Sequence, residues 1–139
     1  MQTFLPLPDF KASAAVLDRQ RLGKQRIEVV QLLRALLVPG AGWANHPAAK
    51  MWRGYEMALA RFGLCACAEW LARGYNDTRT AVILEMSAGL PDTGNPPWFG
   101  RDDFHSAHRS NLLRKAPDHY RAMWPHDPDD LPYVWPVME

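Results

Sequence analysis

Leu17-Asp-Arg-Gln-Arg-Leu-Gly-Lys-Gln-Arg-Ile-Glu28 carries the clearest helical periodicity in this chain. At about 100° per residue, one side of the predicted helix is apolar and continues past the quoted residues. Pro39 and Gly40 interrupt the pattern, so the sequence predicts a helix from about Asp18 to Leu37 that is anchored in a core. The apolar side consists of Leu22, Val29, Val30, Leu33, Leu36 and Leu37.

The other side of this predicted helix is polar and chemically mixed. Four residues at i, i+3, i+4 and i+7 share one narrow stripe: Arg21, Lys24, Gln25 and Glu28. Such a stripe is typical of a site in which two cations bind an anionic ligand and a neighbouring carboxylate transfers protons. A solvated helix face with i, i+4 ion pairs such as Lys24–Glu28 produces the same pattern. The spacing alone leaves both interpretations open.

The overall composition is that of one globular domain spanning residues 1–139, with 47% hydrophobic and 22% charged residues. The formal net charge of +1 does not indicate a nucleic-acid-binding protein. The charges are unevenly distributed, however. The first 34 residues contain six basic and three acidic residues, whereas the last 15 contain four acidic residues and no Lys or Arg. A local basic surface is therefore expected despite the small total.

The remaining pattern predicts an all-α domain of five or six helices. Proline and glycine predict a loop at about 89–102 and an extended tail at about 125–139, and no period-2 run is long enough to require a sheet. Further helices are expected from Asp9 to Val16, from a start capped by Asn45 to Gly63, at 64–73, from Asp77 or Thr78 to Ser87, at about 103–114 and at about 117–124.

The cysteines and the apolar runs exclude several classes of protein. Cys65 and Cys67 point to different sides of a helix, so they are expected to be free thiols with no disulfide and no metal site. No apolar run reaches the length of about 18 residues that a membrane span requires. The first residues lack the features of a signal peptide. We therefore expect a cytoplasmic monomer that does not contact a membrane and requires no cofactor.

Two further groups of residues are candidates for ligand contact. His46 precedes a helix start and Lys50 follows one turn later; His46 is expected either to cap the helix or to line a site. His105, His108 and Arg109 lie on another predicted helix, which fits a phosphate-contacting helix or a half-exposed basic helix. Trp98 lies in the proline-rich loop, where an aromatic ring can stack on a base.

Taken together, these elements resemble the pyrimidine-dimer DNA glycosylase family of the phage endonuclease V type, and in particular a small actinobacterial branch of it. The resemblance extends over most of the chain. It is carried by Asp18–Glu28, Asn45-His-Pro47, Arg73-Gly-Tyr-Asn76 and the His105–Lys115 segment before Tyr120. It implies an all-α, endonuclease V-like domain that extrudes a nucleotide from a damaged DNA duplex.

The resemblance also implies a covalent mechanism. In that family an N-terminal α-amine attacks the deoxyribose C1′, a helix glutamate is essential, and β-elimination resolves the resulting imine. Glu28 occupies the position of that glutamate, Arg21 and Arg26 lie near the phosphate-binding residues, and His46 lies near a histidine of the second helical region.

Position 2 departs from the family pattern. The family exposes a small residue there when the initiator methionine is removed, whereas this chain has Gln2, before which methionine is usually retained. The nucleophile is then expected to be the Met1 amine, the Lys24 side chain, or a water molecule activated by Glu28 without any amine. An α-amine with a pKa near 7.7–8.0 requires no perturbation to act at neutral pH, whereas a lysine near 10.4 does.

The leading hypothesis is a DNA glycosylase, with a further AP-lyase step left open, acting on a flipped damaged or modified base in duplex DNA. Two alternatives remain: hydrolysis of a small nucleoside or nucleotide in the same pocket, and a non-catalytic nucleic-acid-binding domain. The catalytic candidates are Glu28, Met1 and Lys24. The candidates for substrate or phosphate binding are Arg21, Gln25, Arg26, His46, Lys50, His105, His108 and Arg109.

Overall fold

Seven helices and no strand occur in residues 2–136, which are the residues that the computed structural model describes. The predicted all-α fold is therefore confirmed, although residues 2–136 form seven helices where five or six were predicted. The helices are α1 (Phe10–Val16), α2 (Arg19–Leu37), α3 (Pro47–Trp52), α4 (Glu56–Ala72), α5 (Thr80–Ser87), α6 (Asp102–Lys115) and α7 (Pro117–Tyr120).

Helix α2 forms as the periodicity predicts. Asp18 caps it by accepting a hydrogen bond from the backbone N–H of Arg21, and the helix ends at Leu37, directly before Val38 and Pro39. Its apolar side is buried and packs most extensively against α4. Each fully buried leucine or valine contributes roughly 1.5–3 kcal/mol relative to an exposed one. The fully buried apolar side chains are Leu22, Val29, Leu32 and Leu33.

The predicted helix break at Gly63 is wrong, because α4 runs without interruption from Glu56 to Ala72. Gly63 instead permits close packing: a Cβ atom there would lie 2.5 Å from Cγ1 of Val29. The helical structure is interrupted earlier, at Gly54, whose φ of +89° favours glycine. A further correction concerns the start of α3, which His46 caps in place of Asn45.

The segment before α1 is extended and lies in the interior. Phe4 and Leu5 are buried. The Phe4 N–H donates to Gln25 Oε1 of α2 at 2.9 Å, and the Leu5 N–H donates to His108 Nδ1 of α6 at 2.9 Å. The Trp52 indole N–H donates to Thr3 Oγ1. These bonds hold the start of the chain between α2 and α6.

The loop at 88–101 and the tail after α7 also pack against the helices. Trp98 is buried and its indole N–H donates to the Met51 carbonyl oxygen, so the expectation that it stacks on a base is wrong. The tail lies along α6: the Leu131 N–H donates to Ser110 Oγ at 3.0 Å, and the Tyr133 ring lies 4.9 Å from the His108 ring.

Both cysteines are free thiols, Cys67 buried and Cys65 partly exposed. Within residues 2–136, none of the helices combines the length and the apolar character needed to cross a bilayer.

Candidate active site

A pocket of about 200 Å³ opens beside the polar stripe of α2. It brings together three of the residues that the stripe predicts, Arg21, Lys24 and Glu28. Residues from distant parts of the chain complete the pocket. The full lining is Gln2, Phe4, Gln20, Arg21, Lys24, Glu28 and Lys115.

Glu28 is the only carboxylate among the described residues that line this pocket. Its Oε2 accepts hydrogen bonds from the Gln2 backbone N–H at 3.4 Å and from Gln25 Nε2 at 3.1 Å. Burial raises the pKa of Glu28, while the Gln2 N–H and the positive charge of Lys24 oppose the increase. A fixed carboxylate with a raised pKa suits proton exchange with a substrate.

Gln25 organises the site and is not available to a ligand. Its Oε1 accepts from the Phe4 N–H at 2.9 Å, and its Nε2 donates both to the Gln2 carbonyl oxygen at 3.0 Å and to Glu28. The side chain is buried. The interpretation of Gln25 as a substrate-binding residue is therefore corrected: it fixes the N-terminal segment on α2 and orients Glu28.

The cations of the pocket differ in their availability. Arg21 forms an ion pair with Asp18 at 3.1 Å. Lys24 and Lys115 are exposed, and neither forms an ion pair with any described residue. Two unpaired ammonium groups beside a half-buried carboxylate are suited to an anionic ligand.

Arg26 does not face the pocket. Its Nε donates to Asp77 Oδ1 at 2.8 Å, and its guanidinium lies 4.7 Å from the centroid of the Trp70 ring. Both side chains of the Arg26–Asp77 pair are buried. Asp77 in turn accepts from the Thr80 backbone N–H at the start of α5. The structure thus gives Arg26 a role in the packing of α2 against α5, and its binding of phosphate stays a prediction.

The candidates on α6 are likewise committed to the fold. His105 Nδ1 lies 2.7 Å from the Leu5 carbonyl oxygen, and its Nε2 accepts from the Gly100 N–H. His108 is fully buried, accepts from Leu5, and has its pKa lowered by burial to about 3. The Arg109 guanidinium pairs with Asp127 and donates to the Pro6 carbonyl oxygen. Burial keeps His105 and His108 from contacting phosphate, whereas phosphate contact by Arg109, whose side chain is partly exposed, stays a prediction.

His46 and Lys50 lie outside the pocket. His46 caps α3 by accepting from the Ala48 N–H at 3.0 Å, which is one of the two roles expected for it, and burial lowers its pKa. Lys50 is exposed and lines a separate cavity of about 610 Å³.

Sequence reasoning missed Gln2, Phe4, Gln20 and Lys115 as members of the pocket. Lys115 follows the predicted basic helix, but no local pattern places it beside Glu28, because the two residues meet only through tertiary packing. The Met1 candidate lies outside the described residues.

Residues 1–82 match the sequence model of the family described as pyrimidine dimer DNA glycosylase. The match covers more than half of the 139 residues. The chain belongs to this family. Comparison with curated proteins and with solved structures gives no match.

Family membership supports a DNA glycosylase activity and implies DNA as the substrate. The matched residues include Arg21, Lys24 and Glu28, whereas Lys115 lies beyond them. The pocket is therefore lined both by residues within the matched range 1–82 and by Lys115, which lies outside it.

Proposed function

We propose that this protein is a DNA glycosylase that acts on a damaged or modified nucleotide flipped out of a duplex, with Glu28 as its catalytic carboxylate. The observation that carries the proposal is the position of Glu28, which is held against the Gln2 backbone at 3.4 Å. The same pocket contains Lys24 and Lys115, which pair with no described residue. Flipping brings the glycosidic bond within reach of such a group.

The size of the pocket supports a polymeric substrate. Its volume of about 200 Å³ is smaller than the roughly 300–1,000 Å³ of sites that enclose a small molecule. An extruded sugar and base that remain attached to a duplex need only partial enclosure, because the backbone on either side contributes binding. We therefore favour a duplex over a free nucleotide, with Lys24, Lys115 and Arg21 contacting phosphates.

For the nucleophile we propose the α-amine of Met1. The support is the position of the adjacent residue, whose backbone nitrogen lies 3.4 Å from Glu28 Oε2. An α-amine is partly neutral at pH 7. Lys24 is the weaker candidate, because a lysine becomes a nucleophile when it is desolvated and Lys24 is exposed.

The proposed reaction has two stages. The neutral amine attacks C1′, the new C–N bond forms, and the glycosidic bond breaks with the electron pair leaving on the base. The amine then loses a proton and the sugar ring opens to an imine. Removal of a C2′ proton expels the 3′ phosphate in the lyase stage. Glu28 transfers protons in both stages.

Borohydride reduction tests this proposal, because it converts an imine into a stable bond between protein and DNA. We expect trapping on duplexes that contain a pyrimidine dimer or an abasic site, and peptide mapping should locate the bond at Met1. Residues added before Met1 should abolish trapping, whereas Lys24→Ala should retain it.

Trapping that disappears only in Lys24→Ala assigns the imine to that lysine and refutes the Met1 assignment. Base release without trapping, still dependent on Glu28, indicates a water-activating glycosylase. The absence of base release from every damaged duplex refutes the proposed function.

A further inference from the structure

Trp43 combines two unfavourable features. Of the large apolar side chains in residues 2–136, it has the largest exposed fraction, 59%. Its φ of +73° is in the left-handed region, which no other non-glycine residue of the described chain occupies. A bulky residue is rarely found with this backbone conformation. A tryptophan here therefore costs backbone strain while leaving most of its ring in water, which suggests that the indole serves a bound ligand.

The indole is nevertheless held in place. The His46 N–H donates to the Trp43 carbonyl oxygen at 2.9 Å, and the His46 ring lies edge-on to the indole with 5.6 Å between their centroids. His46 is itself fixed as the cap of α3. One part of the Trp43 ring is supported by the protein while most of its surface remains open to solvent.

A series of ring contacts runs from Trp43 to Tyr133, a tail residue outside the lining of the pocket. The His46 ring lies 5.9 Å from that of Trp135, which lies 4.4 Å from that of Tyr133. Burial raises the pKa of Tyr133, and the negative charge of Glu28 raises it further. Trp43 is therefore connected through packed rings to the surroundings of the catalytic carboxylate.

The surroundings of Trp43 are basic. The Arg53 guanidinium donates to the Ala44 carbonyl oxygen at 2.7 Å, within the same loop. Arg53 and Lys50 both line the neighbouring cavity of about 610 Å³, and none of the described residues lining that cavity is acidic. A planar aromatic ring beside two cations is complementary to a base stack flanked by phosphates.

We propose that Trp43 is a wedge that inserts between bases of the duplex and occupies the gap left by the extruded nucleotide. The inference rests on the proposed function, because a gap of this kind arises only when a nucleotide leaves the stack. Stacking on an indole does not depend on the identity of the base, and apolar wedges that unstack a base step are a general device of DNA-binding proteins. Lys50 and Arg53 bind the phosphates beside the wedge.

The test uses Glu28→Gln protein, which we expect to bind without cleaving, and a short duplex with an abasic analogue next to 2-aminopurine. Binding is followed by anisotropy and base stacking by the fluorescence of 2-aminopurine. We expect Trp43→Ala to weaken binding about tenfold and to abolish the fluorescence response. Trp43→Phe should retain much of both. Leu84→Ala, which shortens another exposed apolar side chain, serves as the matched control and should change neither.

Trp43→Gly separates a role in binding from a structural role. Glycine removes the left-handed strain, so Tm should rise while duplex binding falls as in Trp43→Ala. Unchanged affinity and fluorescence in Trp43→Ala would overturn the wedge. The wedge would also be overturned if Trp43→Ala lost self-association or binding to another protein but kept its binding to DNA. If wild-type protein cleaves no damaged duplex but shows a Trp43-dependent response on the abasic duplex, the proposed glycosylase fails while the wedge stands.

Discussion

Helices α2 and α6 each carry a row of polar side chains at helical spacing, yet the two rows have opposite surroundings. On α2, Lys24 remains exposed and Glu28 lines an open pocket. On α6, His105 and His108 are buried, and Arg109 pairs with Asp127. Polar rows at helical spacing therefore line a candidate site on one helix and stabilise the fold on the other.

The difference arises from the chain segments that cover each helix. The extended N-terminal segment uses His108 and Arg109 as hydrogen-bond partners for its backbone, and the tail after α7 supplies Asp127. Among the described residues, the hydrogen bonds of this N-terminal segment to α2 involve only Gln25 and Glu28, so the neighbouring Lys24 is left exposed. A polar row is available for a ligand only where no other segment uses its hydrogen-bonding groups.

Glu28→Gln should give the largest effect on the α2 side. The substitution keeps the size of the side chain but removes its charge and its capacity for proton transfer, which typically contributes about 10²–10⁴-fold to a rate. Base release should fall by that factor while duplex binding persists. Glu85→Gln, on an exposed position of α5, is the control. Turnover of the Glu28 variant within about threefold of wild type would remove Glu28 from the mechanism.

Arg26→Ala tests a residue of the same α2 segment whose partner is buried. Loss of the guanidinium leaves the buried Asp77 carboxylate without its cation, which typically costs about 3–5 kcal/mol. We expect urea unfolding to show a decrease of that order in the free energy of unfolding. The salt dependence of DNA binding by the folded protein should be unchanged. Arg19→Ala, an exposed cation at the start of α2, should leave the unfolding free energy nearly unchanged. A reduced salt dependence in Arg26→Ala would show that Arg26 also binds phosphate.

The sequence was sufficient for α2, because a long amphipathic pattern with an Asp cap and a following proline determines a helix locally. It also grouped Arg21, Lys24 and Glu28, which share one face of one helix. It did not reveal the ion pair of Arg26, whose partner Asp77 is distant in sequence. Lys115 was missed for the same reason, since only packing brings it to Glu28. The prediction of a helix end at Gly63 was wrong because glycine also occurs inside a helix where another helix approaches closely. Here α2 approaches so closely that a side chain at position 63 would not fit.

The buried histidine of α6 predicts a dependence of stability on pH. Burial lowers the pKa of His108 to about 3, whereas an unfolded histidine titrates near 6.5. Between these values the unfolded chain binds the additional proton, so the free energy of unfolding falls as the pH is lowered. From pH 6.5 to pH 5 the decrease should be about 2 kcal/mol. Burial of His105 acts in the same direction.

Urea unfolding at several pH values checks this expectation. His108→Asn retains an acceptor for the Leu5 N–H but does not titrate, so this variant should lose most of the decrease. His126→Asn, at an exposed position, should behave as wild type. An equal pH dependence in wild type and His108→Asn would show that the buried ring does not control acid stability.

The smallest effect is expected for the two unpaired lysines of the pocket, and it is the one that tests how the two helices cooperate. Lys24 belongs to α2 and Lys115 to α6, and if both bind phosphate, each Lys→Ala variant should lower the slope of log K against log[salt] by about 1. Lys11→Ala removes the same charge from α1 and is the control. A slope that changes for Lys24 but not for Lys115 would confine the phosphate site to α2. Equal changes in all three variants would indicate a general charge effect without a defined contact.

Neither lysine has a described ion-pair partner, so the unfolding free energy should stay within about 0.5 kcal/mol of wild type. A change in salt slope at constant stability is therefore the result that would extend the site from α2 to the end of α6.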